Sequence, residues 1–181
     1  MIYVIAGFII MILVSQPDPD IFRRTSGLFL IFALLLLGIT YLFGPEINGA
    51  QRWVRLGSFS FQSSELIKLA VPIFLANFLF DKKLPIQRTE IIFSLLIIFC
   101  CFFFVFRQPD LGTALIIACS GLFVLFLSGL SWTFIGGSFV LLIVSSPFIW
   151  NILLQPFQRQ RIATFFNPDS DPFGASWNII Q

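Results

Sequence analysis

Residues 27–43 read GLFLIFALLLLGITYLF, a run with no charged side chain. Leu34, Leu35, Leu36 and Leu37 make it apolar on every face, and Phe102, Phe103 and Phe104 do the same further along the chain. A strand of a membrane β-barrel alternates apolar and polar residues over about ten positions. Neither run alternates, so both read as helices that satisfy their own backbone inside lipid. Comparable runs lie at residues 1–15, 66–80, 91–106, 111–130 and 132–154. The expected fold is therefore all-α, a polytopic transmembrane bundle of about six membrane-spanning helices, with residues 1–181 forming one transmembrane domain. Several runs are shorter than the about 20 residues that cross a bilayer. Tilt and local thinning of the bilayer close that gap.

Composition agrees. Charged residues are 11% of the 181 positions, against about 25% in soluble domains. Exposing 25 phenylalanines to water would create aggregating patches. The net charge of +2 is scattered without a basic run, which excludes nucleic acid as a partner. The absence of histidine removes Ser-His, Cys-His and His-metal chemistry from this chain. Cys100, Cys101 and Cys119 lack zinc or disulfide spacing and are expected to be packing residues. Residues 1–15 have no basic n-region or cleavage site, so they are not a signal peptide, and their abrupt start suggests a missing earlier helix. Alternate loops tie at five basic residues each, leaving orientation undecided by charge.

Function is therefore sought in the loops. Residues 44–64 carry turn formers, Arg52, Arg55 and the aromatics Trp53, Phe59 and Phe61. They read either as an amphipathic segment in the headgroup layer or as an arginine clamp on a lipid phosphate. Glu65 and Lys68 share one helical face at i, i+3, where Ser63 or Ser64 can cap the helix. Lys68 lies a turn deep in an apolar run, so it is either a helix-to-helix tie or a functional group. Gln108, Pro109, Asp110 and Gly112 form a tight turn, with Asp110 an N-cap or a carboxylate on the same side as Arg52 and Glu65. Arg159, Arg161 and the turn-rich residues 155–181 fall on that side too, as an exposed tail or a substrate-facing surface.

These motifs resemble the SEDS family (shape, elongation, division and sporulation), in its RodA branch. The resemblance rests on Asn48-Gly-Ala-Gln-Arg52-Trp53 with Leu56-Gly57, on Phe61-Gln-Ser-Ser-Glu65-Leu-Ile-Lys68, and on Gln108-Pro-Asp110-Leu-Gly112-Thr113. Phe126-Leu-Ser-Gly129-Leu-Ser-Trp132 and Arg159-Gln-Arg161-Ile162, followed by Pro168, Asp171-Pro172 and Gly174, continue it in order. Ser63 stands where the family usually has proline, and Ser176-Trp177 where it has Gly-Tyr.

The resemblance implies a multi-pass protein of the bacterial cytoplasmic membrane that polymerises lipid II into peptidoglycan during cell elongation, working with a class B penicillin-binding protein among membrane lipids. It implies that Arg52, then Arg161 and Arg55, contact the substrate diphosphate, that Glu65 with Lys68 shapes the cavity, that Gln108 is a structural polar residue of that cavity, and that Asp110 supports it or binds an ion. It also implies residues 44–64 as an extracytoplasmic loop and 155–181 as the start of a large one. The family fold has about ten helices, so this chain is expected to be an N-terminal-half fragment, without the catalytic base and inactive alone. The resemblance fixes no cofactor and is compatible with a divalent cation, Mg²⁺ or Mn²⁺. Two other roles fit the same residues, a transporter of the lipid-linked precursor and a non-enzymatic scaffold for the penicillin-binding protein.

Overall fold

The computed structural model describes residues 2–45, 53–56, 59–154 and 156–166. The chain divides into two units, Met1–Gly129 and Leu130–Gln181. The first unit runs α1 (Ile2–Ser15), α2 (Pro19–Phe43), β1 (Trp53–Leu56), β2 (Phe59–Gln62), α3 (Ser63–Phe80), α4 (Arg88–Arg107) and α5 (Leu111–Leu127). The second runs α6 (Trp132–Phe148), one wide π turn (Ile149–Leu153) and α7 (Pro156–Phe166).

The helical bundle expected from the apolar runs is the fold observed. α3 is the hub of the first unit, packed against α2, α4 and α5, while α4 also packs on α5. Its buried side chains are Ile67, Ala70, Val71, Leu75 and Leu79, the 3–4 spacing of one broad helical stripe. α4 and α5 close on each other at Gly121, where an added Cβ would come within 2.6 Å of Ile98 Cγ1. Buried hydroxyls inside α2 stay satisfied locally: Thr40 Oγ1 donates to the Leu36 carbonyl and Ser26 Oγ to that of Arg23.

The outward faces are inverted relative to a soluble protein. Leu28 is 71% exposed, Leu35 62% and Phe99 64%. Lipid is the medium in which such faces are stable. Among the described residues four helices are long and apolar enough to cross a membrane, namely Pro19–Phe43, Ser63–Phe80, Arg88–Arg107 and Trp132–Ile152. α1 and α5 are shorter than that. At 1.5 Å per residue the 17 residues of α5 reach about 26 Å, against about 30 Å of hydrocarbon.

The structure departs from the expected elements in several places. α2 starts at Pro19 rather than residue 27, because Pro at the first helical position and Asp20 in the first turn favour a helix start ahead of the apolar run. Within the expected loop 44–64, residues 53–56 and 59–62 pair as two antiparallel strands, Trp53 opposite Gln62 and Val54 opposite Phe61. Neither serine caps α3: the N-cap is Gln62, without a side-chain cap bond. α5 ends at Leu127 rather than 130, and the expected helix 132–154 is α-helical only to Phe148. Pro147 lies just before that change and lacks the N–H that would continue the regular ladder. Of the cysteines, Cys101 alone is buried, while Cys100 and Cys119 lie on outward faces.

In the second unit α6 is capped by Ser131, whose Oγ accepts from the Phe134 N–H at 3.4 Å. Its far end is closed by Arg159 of α7. Arg159 Nε donates to the Leu154 carbonyl at 3.0 Å and Nη2 to the Asn151 carbonyl at 2.9 Å. These carbonyls end a helix and have no partner further along it.

Candidate functional site

β2 passes into α3 without a loop, so the side chain of Gln62 stands at the junction of hairpin and helix. Its Nε2 donates to Asp110 Oδ2 at 2.6 Å and to Ser64 Oγ at 2.9 Å. Asp110 is the N-cap of α5, and its Oδ1 accepts from the Thr113 N–H at 3.2 Å. One carboxylate thus finishes α5 with one oxygen and holds the hairpin with the other. The bond to Gln62 is charge-assisted, a class worth about 1.5–3 kcal/mol when it replaces water.

One turn further along α3, Glu65 Oε1 and Lys68 Nζ form an ion pair at 2.7 Å. Their side chains are 47% and 24% exposed. The pair is close to a surface interaction, which contributes about 0–1 kcal/mol. It therefore adds little to the fold, and its charges stay available to an anionic or hydroxyl-bearing group.

Gln108 lies just before Asp110 in the same turn and is 2% exposed. Its Nε2 donates to the Leu37 carbonyl of α2 at 3.3 Å, tying the α4–α5 turn to α2. Its Oε1 and the Oγ of Ser63 are buried and have no hydrogen-bond partner among the described residues. Orphaned acceptors and hydroxyls at one end of a bundle are unusual in packed proteins.

The structure thus gathers Glu65, Lys68, Gln108 and Asp110 at one end of the first unit, as the motifs suggest. Gln62, which connects two of those motifs, was not singled out by the sequence reading. Its signal was its place in Phe61-Gln62, at the last strand position before an N-terminal helical turn. Arg52 lies outside the described residues. Arg55 occupies β1 opposite Ser60, and Arg161 occupies α7 in the second unit; the side chains of both fall outside the description. The motif positions 167–181 lie outside it as well. Among the described residues no group of three or more His, Cys, Asp or Glu side chains could hold a metal ion.

Residues 1–181 match a family described as cell cycle proteins, the FtsW/RodA/SpoVE group. The chain is 41% identical to the peptidoglycan glycosyltransferase MrdB of Escherichia coli (strain K12) over 175 residues, 97% of this chain and 47% of that protein. It thus spans about half the length of the curated relatives it matches. Among solved structures it resembles the crystal structure of the rod shape determining protein RodA of Thermus thermophilus, with TM-score 0.66 and 29% identity, covering 76% of this chain and 46% of that one. It also resembles a chain solved in work on structural coordination of polymerization and crosslinking by a peptidoglycan synthase complex, with TM-score 0.78 and 29% identity over 96% of this chain and 52% of that one. The match to the family extends over the whole of this chain, and the apolar helices place the protein in a membrane with several passes: the chain belongs to the FtsW/RodA/SpoVE family of cell cycle proteins.

Proposed function

We propose that the chain belongs to a peptidoglycan glycosyltransferase that polymerises lipid II in the bacterial cytoplasmic membrane during cell elongation, beside a class B penicillin-binding protein. The observation that carries this reading is the 41% identity to MrdB, which extends over 97% of the chain. In the reaction a sugar hydroxyl of the acceptor attacks the anomeric carbon of the donor. A new glycosidic C–O bond forms, the C–O bond to the diphosphate breaks, and the hydroxyl proton passes to a base.

Within this scheme the leaving diphosphate carries the developing negative charge, and cations placed beside it lower the barrier. Arg52 is assigned that contact, with Arg161 and Arg55 behind it, because a guanidinium fork matches phosphate oxygens. Glu65 and Lys68 shape the substrate cavity, Lys68 being the described cation nearest the hairpin junction in the chain. Asp110 and Gln108 act as its frame. None of these residues is assigned as the base.

The test uses the full-length purified protein with lipid II and no membrane gradient. Glycan polymer is the expected product, and Arg52→Ala is expected to reduce the rate at least about tenfold, the loss of one charged phosphate contact. Unchanged polymerisation by Arg52→Ala would remove the diphosphate role. Translocation of the lipid without polymer would replace the enzyme by a transporter.

A further inference from the structure

The opposite end of the α2–α3 pair carries a second polar site. α2 and α3 run antiparallel, and there Arg23 of α2 lies over the Phe80 ring of α3 at 3.7 Å from its centroid. Arg23 Nη1 also donates to Asp20 Oδ1 at 2.9 Å. Between the helices is a cleft of about 200 Å³ lined by Asp20, Arg23, Arg24 and Asn77. Two guanidinium groups against one carboxylate leave the cleft cationic. Arg24 forms no ion pair among the described residues, and Arg23 keeps a buried Nε–H with no acceptor among them.

A separate apolar groove of about 270 Å³ lies further along α2, lined by Ile31, Leu34, Leu35, Leu37 and Gly38 with Phe104 of α4. Positions 20, 24, 27, 31, 35 and 38 follow 4-3-4-4-3 spacing, so cleft and groove share one face of α2. Glycines occupy two of those positions. A Cβ at Gly38 would meet nothing within 4 Å, so the absence of a side chain there leaves open space along the helix. The 14 helical steps from Arg24 to Gly38 span about 21 Å. That length covers a headgroup layer plus the about 15 Å of hydrocarbon in one leaflet.

We propose that this face of α2 is a binding site for one anionic phospholipid of the bilayer, its phosphate held by Arg23, Arg24 and the Asn77 amide and one acyl chain lying in the groove beside Gly38. Arg23 is preset by Asp20 and Phe80, so little side-chain freedom is lost on binding. Arg24 supplies the charge that Asp20 does not neutralise. The apolar groove separates a lipid from a free phosphate ion, which would use the cleft alone.

The experiment reconstitutes the full-length protein in nanodiscs of phosphatidylcholine containing a minority of phosphatidylglycerol and counts retained lipids by native mass spectrometry. Wild-type protein is expected to retain one phosphatidylglycerol in preference to phosphatidylcholine. Arg24→Gln should reduce that retention about tenfold, as expected for one charge-assisted contact. Gly38→Leu should reduce it comparably without changing any charge. Ile31→Trp, which fills the same groove from an exposed position, serves if Gly38→Leu fails to fold by circular dichroism. Retention unchanged in Arg24→Gln, or equal for the two lipids, overturns the site. Competition by inorganic phosphate with full retention in both groove variants assigns the cleft to a free anion and overturns the lipid.

Discussion

At the scale of single residues, the bond between Gln62 and Asp110 is the contact on which the candidate site depends. It joins positions 48 apart in sequence and is 2.6 Å long. Gln62→Ala removes the donor and leaves an Asp110 oxygen with one fewer bond in a partly buried setting. A loss of about 1.5–3 kcal/mol is expected, seen as a lowered melting temperature in detergent. Gln62→Glu should be worse, since it sets two carboxylates against each other. Lys68 behaves differently. Its ion pair is half exposed, so Lys68→Met should change stability by less than about 1 kcal/mol. A fall in polymerisation much larger than that, with an unchanged melting curve, would locate Lys68 in the cavity; equal losses in both would make it a tie between helices.

At the scale of elements, the first unit depends on how closely α4 and α5 approach. Gly121 sets that distance, with the Ile98 side chain filling the space a larger residue would need. Gly121→Leu forces the two helices apart or Ile98 out of its rotamer, an overpacking penalty of about 1–3 kcal/mol. Thermal unfolding monitored by helical circular dichroism measures it, and Gly112→Leu on α5 is the control, since a Cβ there meets nothing within 4 Å. A Gly121→Leu protein as stable as wild type would mean that α4 and α5 do not pack at this point. The hairpin is the other element that matters. Its alternation from Trp53 to Gln62, with Gly57-Ser58 between the strands, is a recognisable hairpin pattern. Trp53 beside two arginines also suits a segment in the headgroup layer, and local sequence does not choose between these two backbones.

At the scale of the whole molecule, α3 separates two polar ends. Glu65 lies in its first turn, and Phe80, which stacks on Arg23, is its last residue. A membrane-crossing α3 puts these ends on opposite faces of the bilayer. Cysteines introduced by Ser58→Cys and Thr89→Cys should therefore be labelled from opposite sides by an impermeant maleimide. Labelling of Ser58→Cys in intact cells, with Thr89→Cys labelled only after the cells are opened, would agree with an extracytoplasmic hairpin; labelling of both in intact cells would break the topology.

Membrane residence and the positions of the apolar runs were legible in the sequence, because transfer of apolar surface into lipid is a local and additive property of each run; about six spanning helices were expected where four of the described helices have the length to cross, and most helix ends lie a few residues from the expected bounds. The clustering of Glu65, Lys68, Gln108 and Asp110 was legible only as motifs on one side of a helix count. Which atoms meet was decided by tertiary structure. Gln108 reaches the Leu37 carbonyl across 71 positions, and Gln62 reaches Asp110 only because α3 brings the hairpin beside the start of α5. Hydrophobic periodicity records which face of a helix is apolar, but it carries no information about which distant polar group will be opposite once the helices pack. Only the packed fold supplies that.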